Sequence, residues 1–310
     1  MTIDQNLLLL AAVALGAAIV NGALGYGFSS ITVPIALLMY SSRVLNPALV
    51  LVEVPLNLYV LFVNRQSVPG VLRRVSPILV GLVPGVIAGS VLVASLNPSY
   101  VKFITYLVLL PLILIQAAGL RWPIQGAERK IGLPFGAGLG VLYSVTTISG
   151  PPLALLFNNQ GYDKRDFRAA LGIVRTTESA MTAVAYSFLH LYTKESLNLL
   201  PFTFISILVG VPVGGWLIGR ISVETFRRVC MSFDAWIVGF GLSRVLPEVF
   251  RWAELPRAYL VLLTVFVLDA VLLYRFFRKR SVQRAPLTSS VSAVNDPEQA
   301  PEIHRVGGGC

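Results

Sequence analysis

Charged side chains and cysteine are scarce in this chain. Asp, Glu, Lys and Arg make up 13% of its 310 residues, whereas roughly a quarter is usual in soluble domains. The composition therefore excludes an ordinary soluble protein. The two cysteines, Cys230 and Cys310, form neither a disulfide framework nor a CxxC pair. The sequence also lacks the HExxH, GxSxG and P-loop motifs, so the common enzyme constellations are missing.

Several long stretches contain no charged residue at all. They are residues 5–42, 75–101, 103–120, 131–162 and 196–219. Each reaches the roughly 18 residues that a helix needs to cross the hydrocarbon layer. We expect helices because lipid offers no partner for unpaired backbone groups and the alternating polarity of a membrane barrel is absent. The net charge of +10 does not indicate nucleic-acid binding, because the Lys and Arg residues lie at predicted helix ends rather than in one patch.

The apolar segments predict a multi-pass protein of the bacterial cytoplasmic membrane. They lie near residues 6–40, 45–63, 75–95, 102–120, 131–159, 169–191, 198–219, 226–245 and 258–277. The first six residues carry no positive charge, unlike a secretory signal peptide, so we expect the first segment in the mature protein. Residues 281–310 are polar and too poor in apolar surface to fold alone, so we expect a disordered tail.

Two of these segments, 6–40 and 131–159, are too long for a single crossing. Each contains a polar interruption rich in glycine or proline, at residues 21–27 and 146–152. Glycine and proline weaken or end a helix, so we expect each segment to unwind there. Each segment is then either a crossing followed by a short helix or a re-entrant hairpin.

The distribution of basic residues favours the hairpins. The tail after the last segment is basic, which places it in the cytoplasm. Counting back from the tail, the loop with Arg227 and Arg228 is also inside. The loop with Arg129 and Lys130 is inside only if residues 131–159 form a hairpin. The same logic places the N-terminus outside if residues 6–40 also form a hairpin.

The two halves of the chain would then have opposite orientations. At an offset of about 125 residues, Gly25 matches Gly150 and Glu53 matches Glu178. Inverted repeats with interrupted helices in matching positions are typical of secondary transporters; chance similarity of two glycine-rich stretches is the alternative. We expect an all-α integral membrane protein of two inverted repeats, each a broken or re-entrant helical hairpin plus three transmembrane helices, with one extra C-terminal transmembrane helix. The expected boundaries are 6–120 and 121–245 for the repeats, 258–280 for the terminal helix and 281–310 for the cytoplasmic tail.

The two interruptions form the expected substrate site. Broken helices expose free N–H groups and positive dipole ends, which hold an anion without a full charge. Both tips should meet near the middle of the bilayer; alternatively, the glycines serve only close helix packing. The candidate substrate-binding residues are Asn21, Gly22, Gly25, Tyr26, Gly27, Thr146, Thr147, Ser149, Gly150 and Pro151.

Glu53, Arg175 and Glu178 lie well inside apolar segments, where each charge costs a few kcal/mol. Asp234 and Asp269 are more weakly placed. Glu53 lies midway along one helix, and Arg175 and Glu178 share a face of another at i and i+3. Arg175 is a further substrate-binding candidate because its planar guanidinium matches an oxyanion. Glu53 and Glu178 are candidates for proton coupling or for an ion pair with Arg175. The rival class is an integral-membrane hydrolase acting on a lipid phosphate, which needs a richer Arg, Ser and His cluster than this sequence contains.

Two motifs resemble one transporter family. The run Gly22-Ala23-Leu24-Gly25-Tyr26-Gly27, and Ser149-Gly150-Pro151-Pro152 followed by Phe167-Arg168-Ala169, are similar to the sulfite exporter TauE/SafE family over roughly residues 6–245. The resemblance implies a permease without a cofactor for a small sulfur-containing anion, such as sulfite or an organosulfonate, often in the export direction. The expected partners are this anionic substrate and the lipid bilayer, with a homodimer left open and no nucleic acid. The particular anion, the direction and the coupling ion stay open.

Overall fold

Every regular element in the described part of the chain is a helix. The computed structural model describes residues 5–118, 127–218, 220, 223–250 and 255–284. The chain divides into two compact units, residues 1–273 and 274–310, and in the second the structure describes only the end of the last helix. The helices are α1 (Gln5–Leu24), α2 (Phe28–Ala36), α3 (Ser42–Val63), α4 (Val68–Ser95), α5 (Pro98–Ala117), α6 (Ala127–Thr146), α7 (Gly150–Asn159), α8 (Lys164–Phe188), α9 (Lys194–Ile218), α10 (Val223–Val249) and α11 (Leu255–Arg284), with a 3-10 turn at Arg65–Ser67.

Seven of the described helices are long and apolar enough to cross a membrane: α1, α3, α4, α5, α9, α10 and α11. This confirms an all-α, multi-pass membrane protein. The predicted segments 131–159 and 169–191 are not among the seven. The apolar part of α6, Ile131–Thr146, is shorter than a crossing needs. Helix α8 carries charged and polar side chains along much of its length.

Both long segments are interrupted where glycine and proline predict it. Helix α1 ends at Leu24, and α2 begins at Phe28 after two glycines with positive φ, Gly25 at 85° and Gly27 at 112°. Such φ values suit glycine because it has no Cβ. The second interruption separates α6 from α7 and contains Thr147, whose φ is 58°. With 9 and 10 residues, α2 and α7 span only about 15 Å each and cannot cross the bilayer alone.

Several basic residues lie in helices rather than in the expected loops. Arg227 and Arg228 belong to the first turns of α10, and Arg129 and Lys130 belong to α6. We assigned these residues to loops from their positions in the sequence alone, and those positions do not determine where a helix begins or ends. Helix α11 continues to Arg284, and the rest of the predicted tail, 285–310, lies outside the described residues.

Two pairs of helices approach each other backbone to backbone, α1 with α9 and α4 with α6. A Cβ atom on Gly214 of α9 would overlap the carbonyl oxygen of Ile19 in α1 and lie 2.8 Å from its carbon. Gly136 of α6 faces Ile78 of α4 in the same way, with a Cβ position 2.9 Å from the carbonyl carbon. Gly22 of α1 also faces the α9 backbone. These glycines therefore serve close helix packing, as in other membrane bundles.

The helices that carry the buried charges also pack against one another. Helix α3, which carries Glu53, contacts α8, which carries Arg175 and Glu178. Helix α3 also contacts α9, and α8 contacts α4, so both are surrounded by other helices. This surrounding explains how three charged side chains are held in an apolar sequence context.

Candidate functional site

The two helix interruptions lie side by side. Helix α2 contacts α7, and Tyr26 of the first interruption packs on Gly150, where a Cβ atom would lie 3.3 Å from the Tyr26 Cδ2 atom. The Tyr26 ring also meets the Phe167 ring edge-on, with centroids 6.5 Å apart. A side chain at Gly150 would press on Tyr26. The two tips therefore meet, and they do so closely at Gly150.

Glu53 is the most highly connected of the three buried charges. Its side chain is fully buried, and one carboxylate oxygen accepts hydrogen bonds from the Ser29 hydroxyl and from Arg175 Nη2, the latter at 2.9 Å. The other oxygen accepts from the Tyr143 hydroxyl at 2.7 Å. Ser29 starts α2 and Tyr143 lies in the last turns of α6. Glu53 thus ties both broken segments to α3.

Arg175 is held between Glu53 and the first interruption. Its guanidinium is 2% exposed and forms a buried ion pair with Glu53. The Nη1 atom donates to Asn21 Oδ1 at 3.3 Å, and Nε has no partner among the described residues. The sequence offered Glu53 and Glu178 as partners, and Arg175 pairs with Glu53, on α3. It also contacts Asn21, one of the predicted substrate-binding residues.

Glu178 lies at the second interruption without a cation. It is fully buried and accepts a hydrogen bond from Ser149, the residue that precedes the first turn of α7. Its second oxygen has no hydrogen-bond partner, and Glu178 forms no ion pair, among the described residues. Glu53 and Glu178 thus each accept a hydrogen bond from a serine at the start of a short helix. They differ in that only Glu53 is paired with an arginine.

The other predicted residues of the second interruption bond mainly to their own backbone. Thr146 Oγ1 donates to the carbonyl of Leu142 at 2.7 Å and accepts from the N–H of Ile148 at 3.1 Å. Thr147 Oγ1 donates to the carbonyl of Thr146 at 2.7 Å. The Pro151 carbonyl accepts a hydrogen bond from Gln116. These bonds shape the second interruption.

A cavity of about 190 Å³ opens beside the first interruption. Asn21, Gly22 and Gly25 line it, together with Arg168, whose Nη2 donates to the carbonyl of Ala23 at 2.8 Å. Arg168 was not among the predicted site residues. The available signal was its place in the Phe167-Arg168-Ala169 motif, 10 residues before Glu178. Arg43 stands at the same distance before Glu53.

Two further buried acids lie on α10 and α11. Asp269 pairs with Arg228 at 2.8 Å, with side chains 0% and 3% exposed. This pairing explains how Arg228 is buried rather than placed in a loop. Asp234 is buried, and its Oδ1 atom has no hydrogen-bond partner among the described residues. No cluster of three or more metal-binding side chains occurs among the described residues.

A multi-pass helical protein with paired helix interruptions beside buried charges has the construction of a membrane transporter. The family profile named Sulfite exporter TauE/SafE matches residues 10–242. The chain therefore belongs to this family, which confirms the resemblance seen in its motifs. It is a membrane transporter and not an enzyme.

One curated relative illustrates the similarity. The chain is 26% identical over 188 residues to the "Probable sulfite/organosulfonate exporter TauE" of Cupriavidus necator. The matched region covers 58% of this chain and 70% of that protein. No solved structure matches the chain.

Proposed function

We propose that the chain is a secondary transporter that exports a small sulfur-containing anion, such as sulfite or an organosulfonate, across the bacterial cytoplasmic membrane. The observation that carries the proposal is the contact between two helix interruptions beside three buried charged groups. The family and the name of the Cupriavidus relative support this substrate class. The hydrolase alternative has no support from the family, and neither the family nor the described residues favour a homodimer.

The anion binds where the interruptions meet, near the middle of the bilayer. The first turn of α2, Phe28–Ser30, has N–H groups that no carbonyl of the same helix accepts, and it lies at the positive end of the helix dipole. In α7, Gly150 keeps its N–H, whereas Pro151 and Pro152 have none. The first interruption therefore supplies more of the amide donors. The proposed contact residues are Asn21, Gly22, Gly25, Tyr26, Gly27, Thr146, Thr147, Ser149, Gly150, Pro151 and Arg175.

Glu178 is the proposed proton carrier. While it is ionised, it accepts a hydrogen bond from the Ser149 hydroxyl, so Ser149 cannot donate to the anion. Once protonated, the carboxyl group can donate to Ser149 Oγ and free the hydroxyl hydrogen for the substrate. Proton binding and anion binding then favour each other, so the two move together, and export requires an outward anion gradient that exceeds the inward proton gradient. Glu53 is less suited to this role because Arg175 balances its charge and both its oxygens accept hydrogen bonds.

Replacing Glu178 with glutamine should uncouple transport from the pH gradient. The glutamine amide can donate to Ser149 Oγ at any pH, as the protonated acid would, so anion exchange should continue. In proteoliposomes, a gradient of one pH unit should drive roughly tenfold accumulation of the anion through the native protein for each coupled proton. The Glu178→Gln variant should show none. Glu248→Gln, at an exposed acid of α10, is the matched control, and a gradient-driven Glu178→Gln variant would refute this role.

The helix contacts support two structural repeats, which we propose to be inverted and to begin with re-entrant hairpins. Exchanging α1–α5 with α6–α10 turns the α1–α9 contact into the observed α6–α4 contact. It likewise relates α3–α9 to α8–α4 and α2–α10 to α7–α5, all of which occur. The serine-to-glutamate bonds from Ser29 to Glu53 and from Ser149 to Glu178 follow the same exchange. We therefore keep residues 6–120 and 121–245 as the repeats, with 258–280 as an added helix and a cytoplasmic tail.

The sidedness of two positions tests this topology. A single cysteine at position 127 should react with an impermeant thiol reagent only from the cytoplasm, and one at position 3 only from outside. Each variant is made after Cys230 and Cys310 are replaced by serine, and labelling is compared in intact and permeabilised cells. Labelling from the opposite side at either position would mean that the corresponding segment crosses the membrane once.

Transport of purified protein in liposomes tests the substrate class. Sulfite, taurine, sulfoacetate and thiosulfate are supplied separately, with protein-free liposomes as the control. At least one anion should move faster with protein than without. If none does, or if only a cation moves, the proposed function is wrong.

A further inference from the structure

The cavity beside the first interruption has the composition of a binding site for an anion. Its volume of about 190 Å³ equals the space of roughly six water molecules in the liquid. Its polar lining includes Asn21, Asn64 and Arg168, and apolar side chains of α3 and α9 form much of the rest. No carboxylate is among the described residues that line it.

Arg168 is half-buried and differs in its partners from the two fully buried arginines of the described residues. Arg175 and Arg228 each pair with a buried acid. The hydrogen bond found for Arg168 goes to a neutral carbonyl, that of Ala23, and it forms no ion pair with any described residue. A guanidinium has five N–H donors. The half-buried Arg168 therefore places a charge beside the cavity that no acid in the described part of the chain neutralises.

Asn21 borders the same space and carries an unused donor. Its side chain is fully buried, and its Oδ1 atom accepts from Arg175. Its Nδ2 atom has no hydrogen-bond partner among the described residues. A buried donor without a partner costs free energy, and an anion in the cavity could satisfy it. Asn21 lies in the wall of the cavity and also touches the central ion pair.

We infer that Arg168 and Asn21 form an outer anion-binding site, which shares Asn21 with the site between the interruptions and leads to it. The inference rests on the proposed function for the identity of the anion, a sulfite or sulfonate. The cavity borders Asn64 at the end of α3, next to a connection with Arg65. Such a basic connection is expected in the cytoplasm. An exported anion would meet Arg168 first and then pass Asn21.

A cysteine in the cavity wall can report the local charge without any transport. Gly215 lines the cavity, and nothing lies within 4 Å of the position that a Cβ atom would take. The full chain in detergent, with Cys230 and Cys310 replaced by serine, therefore receives the Gly215→Cys substitution. The reagents are two methanethiosulfonates of similar size, the anionic sulfonatoethyl and the cationic trimethylammonioethyl compound. The quantity measured is the ratio of their labelling rates.

Arg168→Gln should lower the ratio of anionic to cationic labelling roughly fivefold, as expected from the loss of one nearby charge. Methanesulfonate at constant ionic strength should slow labelling when Arg168 is present and have no effect in Arg168→Gln. Arg165→Gln removes an exposed charge three residues earlier on α8 and should leave the ratio unchanged. Arg168→Lys keeps a cation and should preserve the ratio. If Arg168→Gln does not fold, Asn64→Asp adds an acid to the cavity and should lower the ratio instead.

An unchanged ratio in Arg168→Gln, or an equal change in Arg165→Gln, would overturn the inference and leave Arg168 as a cap of the α1 carbonyls. These outcomes are separable from those of the transport assay. A ratio that depends on Arg168 in a protein that moves no sulfur anion would leave the binding site in place and reject the proposed function. Transport of a sulfur anion with a ratio that does not depend on Arg168 would support the proposed function and reject the outer binding site.

Discussion

Replacing Arg175 with glutamine should lower the free energy of unfolding by roughly 3–5 kcal/mol, the cost of leaving a buried acid unpaired. Glu53 is 0% exposed and its ion pair with Arg175 measures 2.9 Å. Without the guanidinium, Glu53 would keep only the neutral donors Ser29 and Tyr143. The measurement is the unfolding midpoint of the purified protein during titration with denaturing detergent.

Two companion variants separate the structural role of Arg175 from substrate binding. Adding Glu53→Gln to Arg175→Gln removes the unpaired charge and should restore most of the stability. Arg175→Lys keeps the charge but loses the planar fork, so it should stay folded and should weaken anion affinity if Arg175 contacts the oxyanion. Arg73→Gln, at an exposed arginine of α4, should change neither quantity. Full stability in Arg175→Gln would contradict the ion-pair account.

Gly214→Ala should destabilise the protein by roughly 3 kcal/mol, whereas the same change at the next residue should not. A Cβ atom at Gly214 would overlap the carbonyl oxygen of Ile19, so α1 and α9 would have to separate. Overpacking that forces a backbone shift typically costs about 1–3 kcal/mol and sometimes more. The Cβ position of Gly215 is empty to 4 Å. Alanine there should be neutral or slightly stabilising, because alanine has a higher helix propensity than glycine.

A second matched pair tests the related contact between α4 and α6. Gly136→Ala should weaken the fold because a Cβ there lies 2.9 Å from the Ile78 carbonyl carbon. Gly138→Ala, two residues further on, meets nothing within 4 Å. Thermal unfolding in detergent compares the four alanine variants. Equal effects within either pair would mean that the helices do not pack at the described distance.

The sequence predicts those features of the fold that local chemistry decides. Charge-free runs indicate membrane helices, and glycine or proline in the middle of a long run indicates where it unwinds. Both interruptions fall within the expected ranges. In the first, Gly25 and Gly27 adopt a φ that other residues avoid; in the second, Thr147 has a φ of 58° and proline lies at the start of α7. The lengths of α2 and α7, and the separation of residues 131–159 into α6 and α7, follow from the same breaks.

Which side chains pair could not be predicted, because pairing depends on helix packing. Arg175 and Glu178 share a face at i and i+3, yet Arg175 pairs with Glu53, on α3. Helix α8 packs against α3 and also against α6 and α7. Which acid lies nearer to Arg175 depends on that packing. Arg228 and Asp269 are 41 residues apart, and nothing in the local sequence relates them. Arg168 was missed for the same reason, since its cavity is formed by four different helices.

The position of a bound anion tests the central claim most directly. A crystal structure of the full chain with 2-bromoethanesulfonate would locate the bromine by anomalous scattering. The account predicts a sulfonate between the two interruptions, with its oxygens within hydrogen-bonding distance, about 3 Å, of donors in the first turn of α2. A second peak beside Arg168 is also compatible with the account. An anion bound only elsewhere, with the space between the interruptions closed by side chains, would contradict it.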